Sequence, residues 1–182
     1  MPEERLNLYL VGYRCTGKST VGRKLARQLD FAFYDTDEQI VAGEQKEIAR
    51  IVADRGWPYF RELEEKCLRR LSGKSRSVIA TGGGIVLNPG NIACMQNSGM
   101  IIWLQASPAT ILDRLRQDPQ TAALRPALTR QALAEEVRAT LAERTALYRR
   151  AADLSLGTDT AGPDEIVAQI RNRILWPDTR KV

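Results

Sequence analysis

Short apolar segments alternate with longer segments of helical periodicity along the whole chain. Nearly every position from Leu8 to Val11 is apolar, which is typical of a strand buried on both faces. The pattern predicts strands at 6–11, 31–34, 77–80, 100–104 and 153–156, and helices near 17–29, 38–54, 58–71, 89–97, 107–117, 130–150 and 164–175. This alternation predicts a three-layer α/β/α fold with a five-stranded parallel sheet.

The length and composition are those of one globular domain. The chain has 182 residues, of which 43% are hydrophobic and 27% charged, so we expect a single domain over 1–182. Two prolines and little apolar periodicity predict an exposed excursion or lid at about 117–128, and 176–182 has the character of a loose tail. The mixed charges of the first residues and the shortness of the apolar runs favour a cytoplasmic protein without a signal peptide or membrane span.

Charge and residue usage exclude several kinds of chemistry. The net charge is +5, but basic residues are dispersed among acids, so we expect an anionic small-molecule partner and no nucleic-acid or membrane partner. The chain has no histidine, which excludes a catalytic triad or a histidine base within it. Cys15, Cys67 and Cys94 lack a metal-ligand spacing, so we expect reduced thiols.

A phosphate-binding pattern lies between the first strand and the first helix. It is Gly12-Tyr13-Arg14-Cys15-Thr16-Gly17-Lys18-Ser19, followed by Thr20. In such a loop, backbone N–H groups and the helix N-terminus cradle phosphates. Lys18 would reach the β- and γ-phosphates, and Ser19 would bind Mg²⁺. The other interpretation is a glycine-rich turn with a surface lysine.

Acidic residues follow the second strand. Thr36 and Gln39 fit a capping box, which alone would justify much of this segment. At the carboxyl end of a strand, however, Asp37 could accept hydrogen bonds from a substrate hydroxyl, and Asp35 could hold metal-bound water. Both interpretations remain open from the sequence.

Two further segments have both a functional and an ordinary interpretation. Gly82, Gly83 and Gly84 follow the third strand, where they suit either a ligand approaching the backbone or a flexible connection. No Walker B aspartate ends this strand, so Mg²⁺ would depend on Ser19, the phosphates and, through water, Asp35. Arg125, before Pro126, is either a lid arginine that reaches the transferring phosphoryl group or a surface arginine.

Taken together, these motifs resemble those of shikimate kinase. The resemblance runs from about Leu6 to Ile174. It rests on the phosphate loop, Asp35-Thr36-Asp37, Phe60-Arg61 with Glu64, Gly82-Gly83-Gly84, Arg125-Pro126 with Leu128, and Glu143-Arg144 followed by Leu147-Tyr148. Segments 135–137 and 95–97 are closer to the second bacterial isoenzyme type.

The resemblance implies a P-loop kinase architecture with a lid, a monomer, and phosphoryl transfer from Mg·ATP to the 3-hydroxyl of shikimate. By family position, Asp37 would bind the shikimate hydroxyls and orient or deprotonate the 3-hydroxyl. The other implied roles are the shikimate carboxylate for Arg61 and Arg144, the shikimate ring for Gly82, Gly83 and Gly84, the lid for Arg125, and adenine for Arg114 and Pro163. Without the family, Arg61 and Arg144 would be interpreted as helix-surface ion pairs and Trp57 as packing.

One position departs from the family pattern. The family commonly has an additional glycine where this chain has Cys15. If the backbone there needs a positive φ, the residue is strained by roughly 1 to 3 kcal/mol, and Cys15→Gly is expected to lower the Michaelis constant for ATP. A helix N-terminus and Lys18 beside Cys15 also suggest a lowered thiol pKa and oxidation-sensitive activity.

Two alternative functions remain at the level of the sequence. One is a related P-loop kinase of another small hydroxy acid such as gluconate, and the other is a regulator that binds ATP without transferring phosphate. Arg61, Arg144 and the triple glycine argue against the first. Lys18, Ser19, Asp37 and Arg125 argue against the second.

Overall fold

The computed structural model describes residues 7–117 and 133–175. Its five strands form one sheet in the order β2-β3-β1-β4-β5, and every pairing is parallel. The strands are β1 Asn7–Val11, β2 Ala32–Asp35, β3 Ser77–Ala80, β4 Gly99–Gln105 and β5 Leu154–Gly157. All five lie where the apolar runs predict them, so the predicted parallel sheet is confirmed.

Seven α-helices cover the sheet within the described ranges. They are α1 Lys18–Leu29, α2 Thr36–Glu44, α3 Ile48–Ser72, α4 Pro89–Ser98, α5 Pro108–Gln117, α6 Leu133–Ala151 and α7 Pro163–Leu175, with a short 3₁₀ helix at Ile85–Leu87. None of these helices is long and apolar enough to cross a bilayer. The predicted lid with Arg125 and the tail at 176–182 lie outside the described residues.

Strand β1 shows how the sheet separates two cores. Its five residues are fully buried, and successive side chains point to opposite faces. Tyr9 and Val11 belong to a core beneath α3, α4 and α6, whereas Leu8 and Leu10 belong to a core beneath α1 and α7. Because both faces of the strand are buried, Leu8 to Val11 are all apolar and their sequence does not alternate.

The predicted helix at 38–54 is wrong. The chain leaves α2 at Gln45, whose φ of 52° and ψ of 32° are left-handed, and α3 begins at Ile48. Helix α3 is itself broken at Gly56, where φ is 81° and ψ is 168°. Pro58 lies two residues further on, and a proline cannot donate the helical hydrogen bond at its position. The break at 45–47 was therefore not predicted, whereas the break at Gly56 lies between the predicted helices at 38–54 and 58–71.

The capping box at Thr36 and Gln39 is also wrong. The cap of α2 is Asp35, whose carboxylate accepts hydrogen bonds from the backbone N–H groups of Asp37 at 3.0 Å and Glu38 at 3.4 Å. The Thr36 hydroxyl instead accepts a hydrogen bond from the Gly82 N–H at 3.0 Å. The end of β2 is thereby tied to the end of β3, which brings two of the predicted site segments together.

Candidate active site

The phosphate loop connects the carboxyl end of β1 to the N-terminus of α1. Gly17 caps the helix with φ 89°, and Lys18 is the first helical residue. The buried Lys18 ammonium donates hydrogen bonds to the carbonyl oxygens of Gly12 at 2.9 Å and Tyr13 at 2.7 Å. A cation is therefore held inside the loop beside the positive end of a helix, an arrangement suited to phosphate.

The backbone of Cys15 has a positive φ, which is the conformation in which we expected this residue to be strained. Its φ is 61°, in the left-handed region that non-glycine residues adopt at a cost of about 1 to 2 kcal/mol. The side chain is partly buried and packs against the cluster formed by Ile111, Leu115 and Val137. No disulfide joins Cys15, Cys67 and Cys94.

One cavity opens over the outer side of the loop. It encloses about 840 Å³, open solvent included, and its lining consists of Cys15, Thr16, Gly17, Thr20, Val21, Arg114, Thr158, Ala161, Pro163 and Ile166. The guanidinium of Arg114 donates to the carbonyl oxygens of Cys15 at 3.0 Å and Thr158 at 2.5 Å. The predicted adenine residues Arg114 and Pro163 thus share a cavity with the phosphate loop. We call it the nucleotide cavity.

Ser19 and Asp35, the residues predicted to hold the metal, are hydrogen-bonded to each other. The Ser19 hydroxyl donates to Asp35 Oδ2 at 2.6 Å, while Asp35 Oδ1 caps α2. A hydroxyl and a carboxylate this close supply the hard oxygen donors that Mg²⁺ prefers, so these residues fit a magnesium ion held by Ser19 directly and by Asp35 through water.

A second cavity opens on the inner side of the same loop. It encloses about 490 Å³, and its lining consists of Tyr13, Arg14, Asp37, Ile48, Trp57, Phe60, Arg61, Glu64, Gly82, Gly83, Gly84 and Arg144. Five residues expected to bind the acceptor line it together with Asp37, although they come from four segments of the chain. We call it the acceptor cavity.

The two arginines of this cavity are not ordinary surface residues. The Arg144 residue is only 6% exposed, and the Arg61 guanidinium lies 5.1 Å from the centre of the Trp57 ring. Arg61 Nη1 donates to Glu64 Oε2, a carboxylate that is 1% exposed. Arg61 thus forms an ion pair, as the interpretation without the family expects, but the pair lines a cavity and does not lie on the helix surface.

The triple glycine is explained by close approach of the backbone to charged side chains. A Cβ on Gly82 would lie 2.5 Å from Glu64 Oε1 and 2.9 Å from Asp37 Oδ1. A Cβ on Gly84 would lie 2.2 Å from Arg61 Nη1. Every other residue type carries that atom, so a side chain at Gly82 or Gly84 would displace the acidic or basic groups from their positions in the cavity.

Gly83 packs against the phosphate loop itself. A Cβ there would lie 3.4 Å from the Gly12 carbonyl oxygen and 3.6 Å from the Arg14 backbone nitrogen. The hydroxyl of the buried Tyr148 donates to the Gly83 carbonyl, and the Tyr148 ring stacks on Trp103 with centroids 5.6 Å apart. Burial raises the pKa of Tyr148, so it remains a neutral donor. The turn is thus fixed from two sides.

Glu64 has a strongly perturbed carboxyl group in the acceptor cavity. Burial raises its pKa from 4.5 to about 7, against the opposing effect of the Arg61 guanidinium. The negative charge of Asp37 raises the pKa further, and Arg144 lowers it. At neutral pH the group is therefore close to its titration midpoint.

Arg14 has a different position from the one expected of a phosphate-loop residue. Its side chain lines the acceptor cavity, and its Nη2 donates to Glu136 Oε1 on α6 at 2.5 Å. Both side chains are buried, at 9% and 2% exposure. Tyr13 also lines the acceptor cavity, and neither of these two residues belongs to the lining of the nucleotide cavity.

The sequence analysis gave no functional role to three polar residues that line these cavities or hold a lining arginine in place. Glu64 was part of a motif without a role, and Thr158 and Glu136 had no signal, since each acquires its importance from a partner far along the chain. Thr158 holds Arg114 with its carbonyl and hydroxyl, and Glu136 holds Arg14.

A glycine-rich loop between β1 and α1 of a parallel sheet in the order 2-3-1-4-5 is the architecture of the P-loop kinases. Comparison with known proteins identifies the branch. The family model for shikimate kinase matches residues 14–175. A shikimate kinase from Rhodopirellula baltica is 40% identical over 164 residues, which are 90% of this chain and 88% of the relative.

Two further relatives agree. Shikimate kinase 2 from Salmonella paratyphi B is 42% identical over 163 residues, 90% of this chain and 88% of the relative. The structure of shikimate kinase from Acinetobacter baumannii in complex with shikimate superposes with a TM-score of 0.89 at 30% identity, covering 97% of both chains. The chain belongs to the shikimate kinase family, which makes it an ATP-dependent kinase. The comparisons do not favour the gluconate-kinase or regulator alternatives, and the isoenzyme type stays a prediction.

Proposed function

We propose that this chain transfers the γ-phosphoryl group of ATP to the 3-hydroxyl of shikimate, giving shikimate 3-phosphate and ADP. The observation that carries the proposal is the phosphate loop itself, which is a wall shared by the nucleotide cavity and the acceptor cavity. An acceptor held in one cavity therefore lies next to phosphates held in the other, as in-line transfer requires.

The charges of the acceptor cavity suit a hydroxylated acid. Arg61 and Arg144 would pair the shikimate carboxylate, because planar guanidinium groups bind carboxylates bidentately and stay charged. Asp37, which lies against Gly82 at the end of β3, would accept a hydrogen bond from the 3-hydroxyl and orient it. Gly82, Gly83 and Gly84 would contact the ring.

On the nucleotide side, Lys18 would exchange its contacts with the loop carbonyls for the β- and γ-phosphates. Arg114 and Pro163 would enclose adenine. Mg²⁺, held by Ser19 and through water by Asp35, would supply charge neutralisation at the phosphates. Because phosphoryl transfer has a loose transition state, positioning and charge should matter more than strong base catalysis by Asp37.

The proposal also covers the cellular location, the oligomeric state and the metabolic pathway. We expect a cytoplasmic monomer that acts in chorismate and aromatic amino acid biosynthesis, with Arg125 as the lid arginine. Sedimentation equilibrium of the purified chain tests the monomer.

The direct test is ADP release from Mg·ATP with shikimate, gluconate, a panel of nucleoside monophosphates or no acceptor. Shikimate-dependent release alone supports the proposal, and release with a different acceptor contradicts the assigned substrate. Asp37→Asn is expected to lose most of its turnover while it still binds ADP. Near-full turnover in that variant would exclude both an orienting and a basic role for the carboxylate.

A further inference from the structure

Arg14 belongs to the phosphate loop but lines the acceptor cavity and not the nucleotide cavity. It lines the acceptor cavity together with Asp37, Arg61 and Arg144. Its Cζ lies 5.5 Å from the centre of the Tyr13 ring, and Tyr13 lines the same cavity. The side chain of a residue that the motif assigns to ATP is thus located where the acceptor is expected.

Helix α6 holds the Arg14 guanidinium in place. Glu136, Thr140, Arg144 and Tyr148 are buried and spaced four residues apart, so they form one face of the helix directed at the cavity and the glycine turn. Glu136 accepts the hydrogen bond from Arg14 Nη2, while Arg144 lies two turns further along. One helix therefore positions two of the three arginines of the cavity.

The hydrogen bond to Glu136 involves Nη2 of the Arg14 guanidinium and not Nε. Within residues 7–117 and 133–175, Arg14 Nε is buried and has no hydrogen-bond acceptor. A buried donor without an acceptor is costly, and such an atom beside a ligand cavity is the expected signature of a group that bonds to the ligand. The residue is 92% buried, so bulk water is not its ordinary partner.

Building on the proposed function, we propose that Arg14 is a third acceptor-binding arginine, which donates a hydrogen bond from Nε to an oxygen of shikimate, with Glu136 as its positioning residue. The competing explanation is that the Arg14–Glu136 pair only clamps the phosphate loop to α6. Loss of a clamp would weaken the binding of both shikimate and ADP, whereas loss of an acceptor contact would weaken the binding of shikimate alone.

Arg14→Lys separates these explanations. Lysine keeps the charge that pairs with Glu136 but lacks the planar guanidinium and its Nε donor. A second variant, Arg14→Met with Glu136→Leu, removes both charges at once and so avoids leaving a lone buried carboxylate. Arg138→Met, an exposed position on the same helix, is the matched control. Calorimetric titration gives the Kd of shikimate and of ADP for each, and thermal melting verifies folding.

We expect both Arg14 variants to raise the Kd of shikimate by about 10- to 100-fold, the range for a lost hydrogen bond to a charged group. The Kd of ADP should remain close to that of the unmodified chain, and the control should change neither. Equal rises for shikimate and ADP would establish the clamp and overturn the inference, as would an unchanged shikimate Kd in folded Arg14→Lys. If the unmodified chain itself failed to bind and phosphorylate shikimate, the proposed function would fail together with the inference.

Discussion

Replacing Glu64 by glutamine should change how the stability of the protein depends on pH. In the folded chain the pKa of Glu64 is about 7, because its carboxylate is buried, against an ordinary value of 4.5. At about 1.36 kcal/mol for each pKa unit, the difference corresponds to an upper value of about 3 kcal/mol. The folded protein holds this proton more tightly than the unfolded chain does, so ionisation of Glu64 lowers the free energy of unfolding as pH rises from about 4.5 to 7.

Glutamine has no proton to lose, so the Glu64→Gln variant should escape this decrease. Measured by urea denaturation at pH 5, 6, 7 and 8, the free energy of unfolding of the variant minus that of the unmodified chain should rise with pH. The rise should approach about 3 kcal/mol and level off above pH 7. Glu62→Gln, at an exposed position of the same helix, should show a flat difference. A flat difference for Glu64→Gln as well would refute the argument from burial.

The same titration should influence acceptor binding. Protonation of Glu64 removes a negative charge beside Arg61, so the acceptor cavity becomes more positive as pH falls through 7. The affinity for the shikimate carboxylate should therefore increase from pH 8 to pH 6 in the unmodified chain and stay level in Glu64→Gln. Calorimetry at these pH values measures both, and a parallel pH dependence in the two proteins would assign the effect to another group.

Three further substitutions test single contacts. Cys15→Gly removes the cost of a left-handed non-glycine residue, which is about 1 kcal/mol. In steady-state assays we expect the variant to have a lower Michaelis constant for ATP. An unchanged or higher Michaelis constant would contradict the strain argument. Gly84→Ala places a Cβ 2.2 Å from Arg61 Nη1, so we expect the Michaelis constant for shikimate to rise by about 10- to 100-fold, since displaced binding groups cost that much. Gly43→Ala, where the Cβ meets nothing within 4 Å, is its control, and an equal effect in both would reject the steric reason. Ser19→Ala removes the proposed metal ligand and should raise the Mg²⁺ concentration for half-maximal activity by about tenfold, and an unchanged Mg²⁺ titration would exclude that role.

The sheet could be predicted from the sequence because burial on both faces imposes an apolar run, as at Leu8 to Val11. The break between α2 and α3 could not. Its decisive residue is Gln45, which has ordinary helix propensity and becomes left-handed only in the folded context. The capping error has a similar origin, since Thr36 fits a local cap but is bonded instead to Gly82, 46 residues later.

Some residues of the site could likewise be predicted from the sequence, and others could not. Asp37 and the glycines could be predicted because they follow strand ends, where a parallel sheet collects its chemistry, and Lys18 could be predicted from the phosphate-loop motif. Glu136 gave no such signal, since a glutamate on a charged helix is ordinarily a solvated residue. Its burial depends on Arg14, 122 residues away, and a pairing over that distance is visible only in the folded chain.

The glycine turn links these observations in one physical argument. From the sequence, three consecutive glycines indicate that something approaches the backbone closely, and a ligand is the natural candidate. In the fold, the nearest atoms are Glu64, Asp37 and Arg61 and the backbone of the phosphate loop. The charged groups of the acceptor cavity are therefore packed against a rigid turn that Tyr148 fixes from behind. Groups held in this way need little reorganisation when a substrate arrives, so much of the cost of ordering the site is met by the folding of the chain.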